Sequence, residues 1–401
     1  MNFLPSQSPV PELGHSMFTL AALQRAYGCR CNSAVFFLNS HCLRCDTALG
    51  YEPELGRVVS LAPGSEMGTW LLAGPNVPEA HSKLYRRCAN LETAAACNWL
   101  VPANERSPWC IACRLNRTVP SLNSREDGML WSRVEAAKRR VISALVGLGL
   151  PVTSRVSEEP ERGLAFDFVR SPANGPRVLT GHENGVITLN IEEADDVTRE
   201  QMRTSMHEPY RTLVGHFRHE VGHYYWDRLV ANSRYLEGYR NLFGDETADY
   251  AEALRVNYTS GPKPHWWLNH VSAYASVHPW EDWAETWAHY MHMVDTLSTA
   301  ASFDLRPETM SLPFDCFGPE VLYRCDTPDC VEFLSFLNSW LKLAAVMNEL
   351  CRSMGQPDFY PFALSGAAVT KIHFVHMVVC DQNRAGCELA SSDEPSMLQV
   401  A

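Results

Sequence analysis

Hydrophobic residues recur at helical spacing in several stretches of this chain. Apolar positions three and four residues apart predict amphipathic helices, because this spacing places them on one helix face. Four long helices and two short ones are expected, at 127–148, 214–226, 265–297 and 329–352, and at 197–206 and 246–258. The third long helix is broken at His278-Pro279, since a proline disfavours helical geometry in the residue before it.

Short apolar runs bounded by turn residues predict β-strands. The expected strands are 35–37, 70–72 and 98–102 in the first third of the chain, and 164–169, 177–180 and 186–191 further on. The strand expected at 70–72 is placed to join the two cysteine-containing segments of this region, which are described next. Together these patterns predict the α+β fold class.

Eight of the 14 cysteines fall into two spaced groups in the first third of the chain. The two groups are Cys29, Cys31, Cys42 and Cys45, and Cys88, Cys97, Cys110 and Cys113. Thiolates offered in pairs from knuckles joined by hairpin strands bind structural zinc in zinc ribbons. Free or oxidised cysteines in the first group, and buried apolar Cys88 and Cys97 in the second, are the alternatives. Cys316, Cys325 and Cys330 are a weaker candidate for another metal site.

The stretch from His219 to His223 reads His-Glu-x-x-His within a predicted helix. Side chains four residues apart lie on one helix face, offset by about 40° and about 6 Å along the axis. The two histidines therefore suit two positions of a tetrahedral zinc site, and Glu220 suits a general base that takes a proton from water. His216 shares this face and is expected to pack or to support the site.

A zinc site of this kind needs a third protein ligand that leaves one position open. Glu281 is the leading candidate, on a later helix that can cross the first. Glu285, one turn further on, is expected to hydrogen-bond a ligand histidine, although the two glutamates could exchange roles. Glu246, Asp249 and Asp227 are the other candidates for the third ligand.

A donor for the developing oxyanion is also expected on the open side of this site. Tyr274 and His278 both precede Glu281 closely enough to reach it, and a core tyrosine is the plain alternative for Tyr274.

Charge and composition exclude some classes of protein. The formal net charge of −12 disfavours nucleic acid as the main partner, although Arg25, Arg30 and Arg44 form a possible local patch. No window holds about 18 uninterrupted apolar residues, so no membrane span is predicted. The first residues lack the charged and apolar regions of a secretory signal. Cysteine groups without an export signal favour metal over disulfides, so we expect a reducing, cytoplasmic location.

Long stretches of the chain resemble a bacterial family of zinc-binding metallopeptidases with an N-terminal zinc-ribbon region. The matching stretches after Met17 are FFLNSHCLRCDTALGYEP, CNWLVPA, WCIACRLNRTVPSL, GHFRHEVGHYYWDRL, FGDE, HPWEDWAETWAHYMHMVDTL and RSMGQPDFYPF. The resemblance implies a zincin fold for the second part of the chain. The two cysteine groups and the His-Glu-x-x-His site together predict two structural zinc ions and one catalytic zinc ion.

The stretch HPWEDWAET is also similar to the second-helix motif of gluzincins. That resemblance implies Glu281 as the zinc ligand rather than Glu285, and Tyr274 as a residue that assists catalysis. Zincins place substrate along the edge strand of a small sheet before the active helix, which here implies the strand at 186–191.

These observations predict an N-terminal tandem zinc-ribbon region followed by a zincin-like metallopeptidase domain with a small sheet and the His-Glu-x-x-His helix. The expected division is a disordered lead, a first ribbon, a second ribbon-like module, the peptidase domain and a disordered tail, at 1–16, 17–60, 61–123, 124–380 and 381–401. The predicted function is zinc-dependent hydrolysis of peptide bonds in a protein or peptide substrate. The alternative is a non-catalytic zinc-binding scaffold for protein interaction.

Overall fold

A computed structural model describes residues 23–392, except 75–76, 78–81, 173, 176, 206–210, 315 and 326–328. The predicted lead at 1–16 lies outside the described residues. The architecture is the predicted mixture of helices and sheets, with a zinc-ribbon region before a peptidase-like domain. The predicted fold class is therefore confirmed.

The zinc-ribbon region contains two antiparallel sheets. The first pairs β1 (Tyr27–Gly28) with β2 (Ala34–Val35). The second has five strands in chain order, β3 (Leu49–Glu52), β4 (Arg57–Pro63), β5 (Trp70–Ala73), β6 (Tyr85–Arg87) and β7 (Leu100–Pro102). Strand β5 confirms the strand expected at 70–72, and β4 runs across the expected module boundary at 60/61. The segments around both cysteine groups therefore share one sheet.

The two ends of the five-stranded sheet approach each other. Tyr51 on β3 forms a parallel bridge with Trp99, next to β7, and the two buried rings lie 4.5 Å apart. Gly50 allows this contact, because a Cβ there would lie 2.5 Å from a methyl carbon of Leu100. The sheet thus curls around an aromatic core.

A four-stranded sheet begins the peptidase-like domain, in the order β10 (Gly181–Glu183), β11 (Val186–Asn190), β9 (Ala165–Val169) and β8 (Asn116–Thr118). Strand β8 belongs to the zinc-ribbon region and starts three residues after Cys113, so the two regions share this sheet. Between β8 and β9 lies helix α1 (Arg125–Gly147), whose first turn is capped by Ser124 Oγ accepting from Asp127 N at 3.0 Å.

The prediction that residues 186–191 form the edge strand is wrong. Strand β11 is paired on both sides, and the edge strands of this sheet are β10, which runs antiparallel to β11, and β8. Asn184 and Gly185 have φ angles of 48° and 78°, the geometry of a two-residue hairpin that folds β10 back onto β11. The strand expected at 177–180 is also wrong, since β10 starts at Gly181.

The helices after the sheet are α2 (Asp196–Ser205), α3 (Leu213–Leu229), α4 (Leu236–Phe243), α5 (Tyr250–Ser260), α6 (Pro279–Ser302), α7 (Asp329–Ser353) and α8 (Gly366–Ser392). The break at His278-Pro279 is confirmed, but 265–278 forms two short 3-10 turns rather than a helix. Pro279 explains the break, because His278 is extended with φ −148°. Helix α8 extends past Cys380 into the predicted tail.

Helix α7 is long and apolar enough to cross a membrane by length and composition. The buried core helices of other proteins meet the same criteria, so length and composition alone are weak evidence for a membrane span. The side chains of Phe333, Leu337 and Trp340 on α7 are buried against the rest of the domain.

Asp295 on α6 ties the zinc-ribbon region to the helices of the second domain. Its buried carboxylate accepts from Arg25 Nε at 2.9 Å, from Arg140 Nε at 2.9 Å and from Arg218 Nη2 at 2.7 Å. Arg25 precedes β1, whereas Arg140 is on α1 and Arg218 on α3. Burial raises the pKa of Asp295, but the three guanidinium charges outweigh it and hold the pKa well below its usual value.

Candidate metal centre

Helix α3 carries His219, Glu220 and His223, all of which are buried, and the two histidines face α6. The helix begins after Thr212, whose hydroxyl accepts from Gly215 N at 3.0 Å. Gly222 lets the helices approach closely, because a Cβ there would lie 3.1 Å from Ala284 Cα. This close crossing brings the first two turns of α6 opposite the two histidines.

Three donor atoms converge between the two helices. Glu281 Oε2 lies 3.0 Å from His219 Nε2 and 3.6 Å from His223 Nε2, and the two imidazole nitrogens are 3.2 Å apart. Zinc bound at about 2.0–2.1 Å in a tetrahedron would hold its ligand atoms about 3.3 Å from one another. Glu281 Oε2 also has no hydrogen-bond partner among the described residues. The buried donor set therefore fits a zinc ion.

Glu285 lies one turn after Glu281 and contacts the other nitrogen of His219. Its Oε1 is 2.7 Å from His219 Nδ1, and its Oε2 accepts from the Ser272 hydroxyl at 2.5 Å. A carboxylate at Nδ1 favours the tautomer with the proton there, which leaves Nε2 free to bind metal. His223 Nδ1 has no such partner among the described residues. Glu281 is therefore positioned to bind the metal, whereas Glu285 is positioned to hydrogen-bond the ligand His219.

The other candidates for the third ligand lie elsewhere. Glu246 pairs with Arg240, and Asp249 caps α5 by accepting from Glu252 N at 3.0 Å. Asp227 is exposed near the end of α3. The helix expected to start at Glu246 starts at Tyr250 because Asp249 provides this cap.

Glu220 is 5% exposed and does not belong to the converging donor set. His216 Nε2 lies 3.3 Å from Glu220 Oε1, and His216 Nδ1 lies 2.7 Å from Glu193 Oε2. Burial lowers the pKa of His216, but the Glu193 and Glu220 carboxylates outweigh it and raise the pKa to about 9. Burial likewise raises the pKa of Glu220, while His216 and the ligand histidines lower it overall. Glu220 is therefore held ionised beside the donor set.

Tyr274 lies beside the centre, with its ring centroid 5.9 Å from that of His219. Burial, followed by the Glu281 carboxylate, raises the pKa of Tyr274 well above its usual value, so the phenol keeps its proton. His278 is not available as the alternative donor. Its Nδ1 accepts from Trp280 N at 3.1 Å, and its Nε2 is 3.1 Å from Ala248 O.

Sequence reasoning missed two residues at this centre. Tyr250 donates to Glu281 Oε1 at 2.6 Å, and Glu193 holds His216. Glu193 lies in the short 3-10 turn Ile191–Ala194 that follows β11, so the acidic stretch at the end of that strand was a signal. No local pattern pointed to Tyr250, because its contact depends on where α5 begins.

The eight cysteines of the zinc-ribbon region form the two predicted groups of four. Sγ atoms lie 3.6 Å apart for Cys29 and Cys45, 3.7 Å for Cys31 and Cys42, and 3.7 Å for Cys97 and Cys110. A tetrahedral zinc–sulfur site with bonds of about 2.3 Å separates its sulfurs by about 3.8 Å. Both groups therefore fit zinc. Among the described residues, Cys316, Cys325 and Cys330 form no such cluster.

The two sulfur sites differ in their surroundings. In the first site, Cys45 is exposed and Cys31 half-buried, whereas all four cysteines of the second are buried. The buried Arg139 of α1 donates to Ala95 O at 2.9 Å, in the loop before Cys97. The second site is therefore packed against the first helix of the peptidase-like domain.

A helix with two histidines, a crossing helix with a glutamate and a preceding zinc-ribbon region define the class of zinc-binding, peptidase-like proteins. Residues 127–378 match the family described as "Putative zinc-binding metallo-peptidase", and residues 26–124 match a zinc-ribbon domain. The first match covers more than half of the chain, so the chain belongs to this family and the resemblance is confirmed.

Proteins from mycobacteria are similar over most of their length. An uncharacterised protein of Mycobacterium bovis and one from each of two Mycobacterium tuberculosis strains, CDC 1551 and H37Rv, are each 42% identical over 350 residues. The alignment covers 87% of this chain and 93% of each relative. No solved structure matches the chain.

Proposed function

We propose that this chain is a zinc-dependent peptidase that hydrolyses peptide bonds in a protein or peptide substrate, with Glu220 as the general base. The observation that carries the proposal is the position of Glu220. It is a buried, ionised carboxylate next to the His219, His223 and Glu281 donors, and is not one of them. A purely structural zinc site has no need for an ionised base at this place.

Each residue has a distinct role in this proposal. His219, His223 and Glu281 hold the ion, and Glu285 fixes the ring of His219 through Nδ1. When bound, zinc supplies an activated water at neutral pH and polarises the scissile carbonyl. Glu220 accepts the proton of the water and later delivers it to the leaving amine. The protonated Tyr274 hydroxyl donates to the developing oxyanion.

The expected content is three zinc ions per chain: one at the site of His219, His223 and Glu281, which we call the helix centre, and two in the sulfur sites. Four thiolates close a tetrahedral site, so these two ions have a structural role. The zinc-ribbon region can also recruit a protein substrate, for which the exposed side of the first site is the better placed.

A non-catalytic scaffold is the rival proposal. It would use the zinc-ribbon region to bind a partner and the helix centre only for stability. The two proposals differ at Glu220, because a scaffold keeps its function when this side chain loses its charge.

The test is a comparison of wild type with Glu220→Gln. Both zinc-loaded proteins are incubated with a proteome extract, and new N-termini are identified by mass spectrometry. We expect new termini with wild type and a rate about 10²–10⁴-fold lower with the variant. His216→Asn is a useful companion, because it weakens the support of Glu220 and leaves its carboxylate in place. Matching profiles for wild type and Glu220→Gln would show that the peptidase proposal is wrong.

A further inference from the structure

Tyr250 connects the metal centre to a helix that has little other attachment. Its hydroxyl donates to Glu281 Oε1 at 2.6 Å, and Glu281 Oε2 is the oxygen that converges with the two histidines. Tyr250 is the first residue of α5, and none of the residues of α5, all of which are described, is buried. The phenol therefore links a loosely packed helix to a buried candidate ligand.

His278 fixes the chain that leads into Tyr250. Its Nδ1 accepts from Trp280 N, so its Nε2 carries the proton and donates to Ala248 O. The Tyr250 ring lies edge-on to the His278 ring, with centroids 5.2 Å apart. The cap of α6 thus places the start of α5 next to Glu281, which lies in the first turn of the same helix.

The direction of the hydrogen bond is settled by chemistry. The Glu281 carboxylate only accepts, so the Tyr250 hydroxyl must donate. With Oε1 occupied, the carboxylate is oriented with Oε2 towards His219 and His223.

We propose that Tyr250 is a positioning residue for the metal ligand Glu281, and that zinc binding and the docking of α5 stabilise each other. Partners behind a metal ligand typically contribute 10–100-fold to metal affinity. Linkage makes the effect reciprocal, so zinc must favour docked α5 by the factor by which docked α5 favours zinc. Since few other contacts hold α5, the coupling will be visible in its backbone amides.

The test compares the full-length wild type with Tyr250→Phe and with Tyr258→Phe, a matched change at an exposed tyrosine on the same helix. Zinc affinity is measured by competition with a chromophoric chelator. The zinc ion that is lost in the Glu281→Ala variant is assigned to the helix centre. We expect one of three zinc ions to bind about ten-fold more weakly in Tyr250→Phe, and no change in Tyr258→Phe.

Hydrogen exchange of residues 250–260 provides the second measurement. Zinc is expected to slow exchange there in wild type and Tyr258→Phe, and to have a smaller effect in Tyr250→Phe. Equal thermal midpoints of the metal-free proteins will show that folding is unchanged. Equal zinc affinity in wild type and Tyr250→Phe, or an equal loss in both variants, would overturn the proposal. These readouts need no substrate, so they are independent of whether the chain is a peptidase.

Discussion

The second sulfur site and the helix centre are both buried metal-binding arrangements, yet they are built in opposite ways. Cys88, Cys97, Cys110 and Cys113 come from one short segment, and four thiolates leave no position for another ligand. The helix centre takes its three donors from α3 and α6 and has an ionised glutamate beside them. The first arrangement is suited to holding a fold and the second to chemistry.

This difference predicts which site the fold depends on. The segment after Cys113 becomes β8 within the sheet of the peptidase-like domain, and Arg139 contacts the loop before Cys97. The helix centre lies between two helices that also pack through Trp283, Trp287 and Tyr225. Loss of metal from the sulfur site should therefore disturb both domains, whereas loss from the helix centre should leave the fold in place.

The largest effect is expected for Cys110→Ser. The variant should lose one zinc ion and more than about 4 kcal/mol of unfolding free energy, because structural zinc supplies folding energy directly. Metal analysis and chemical denaturation measure the two losses. Cys351→Ser, at a half-buried cysteine outside both groups, is the control. A Cys110→Ser protein of wild-type stability would remove the distinction between the sites.

Asp295→Asn should destabilise the chain by about 3–5 kcal/mol at pH 7, because it leaves buried guanidinium groups without their partner. The exposed Asp304→Asn, which breaks a surface pair with Arg306, should change stability by less than about 1 kcal/mol. Urea denaturation of both variants measures the difference.

The effect of Asp295→Asn should also depend on pH. The pKa of Asp295 is depressed in the folded chain, so its contribution is fully present above the unfolded value of about 3.9. The contribution is lost as pH falls below that value. The gap in unfolding free energy between wild type and Asp295→Asn should therefore stay constant above about pH 5 and narrow progressively as pH falls below about 4 towards the folded pKa. A gap that widens towards low pH would contradict the assignment.

A smaller effect is expected for Glu285→Gln. The amide can still contact His219 but cannot support it with a charge, so zinc affinity at the helix centre should fall about 10-fold. The two sulfur sites should be unaffected. Chelator competition should therefore show two zinc ions that bind with wild-type affinity. Weakening at all three sites would indicate a general loss of structure instead.

The sequence predicts the local features of the fold and of the candidate site. The histidine pair and Glu220 lie within five residues of one helix, and the cysteine groups lie within short segments. For these residues the spacing along the chain determined the spacing in the fold. Glu281 and Glu285 were predicted on a later helix that could cross α3, and the resemblance to gluzincins favoured Glu281 as the ligand.

The features that the sequence did not predict depend on turns and on where individual helices begin. The hairpin at Asn184-Gly185 adds β10 outside β11, which moved the edge of the sheet away from the expected strand. Likewise, Tyr250 reaches Glu281 because Asp249 caps α5 and His278 holds the preceding residues. The contact between Tyr250 and Glu281 joins segments 31 residues apart, and the hairpin depends on a local Asn-Gly turn, so the periodicity of apolar residues records neither of them.

The central claim is that the helix centre is a third metal site, separate from the two sulfur sites. Zinc analysis of the purified full-length chain tests it most directly, with Glu281→Ala measured alongside. We predict three zinc ions per wild-type chain and two per Glu281→Ala chain, with the variant still folded. Two zinc ions in wild type, or an equal count in both proteins, would contradict the account.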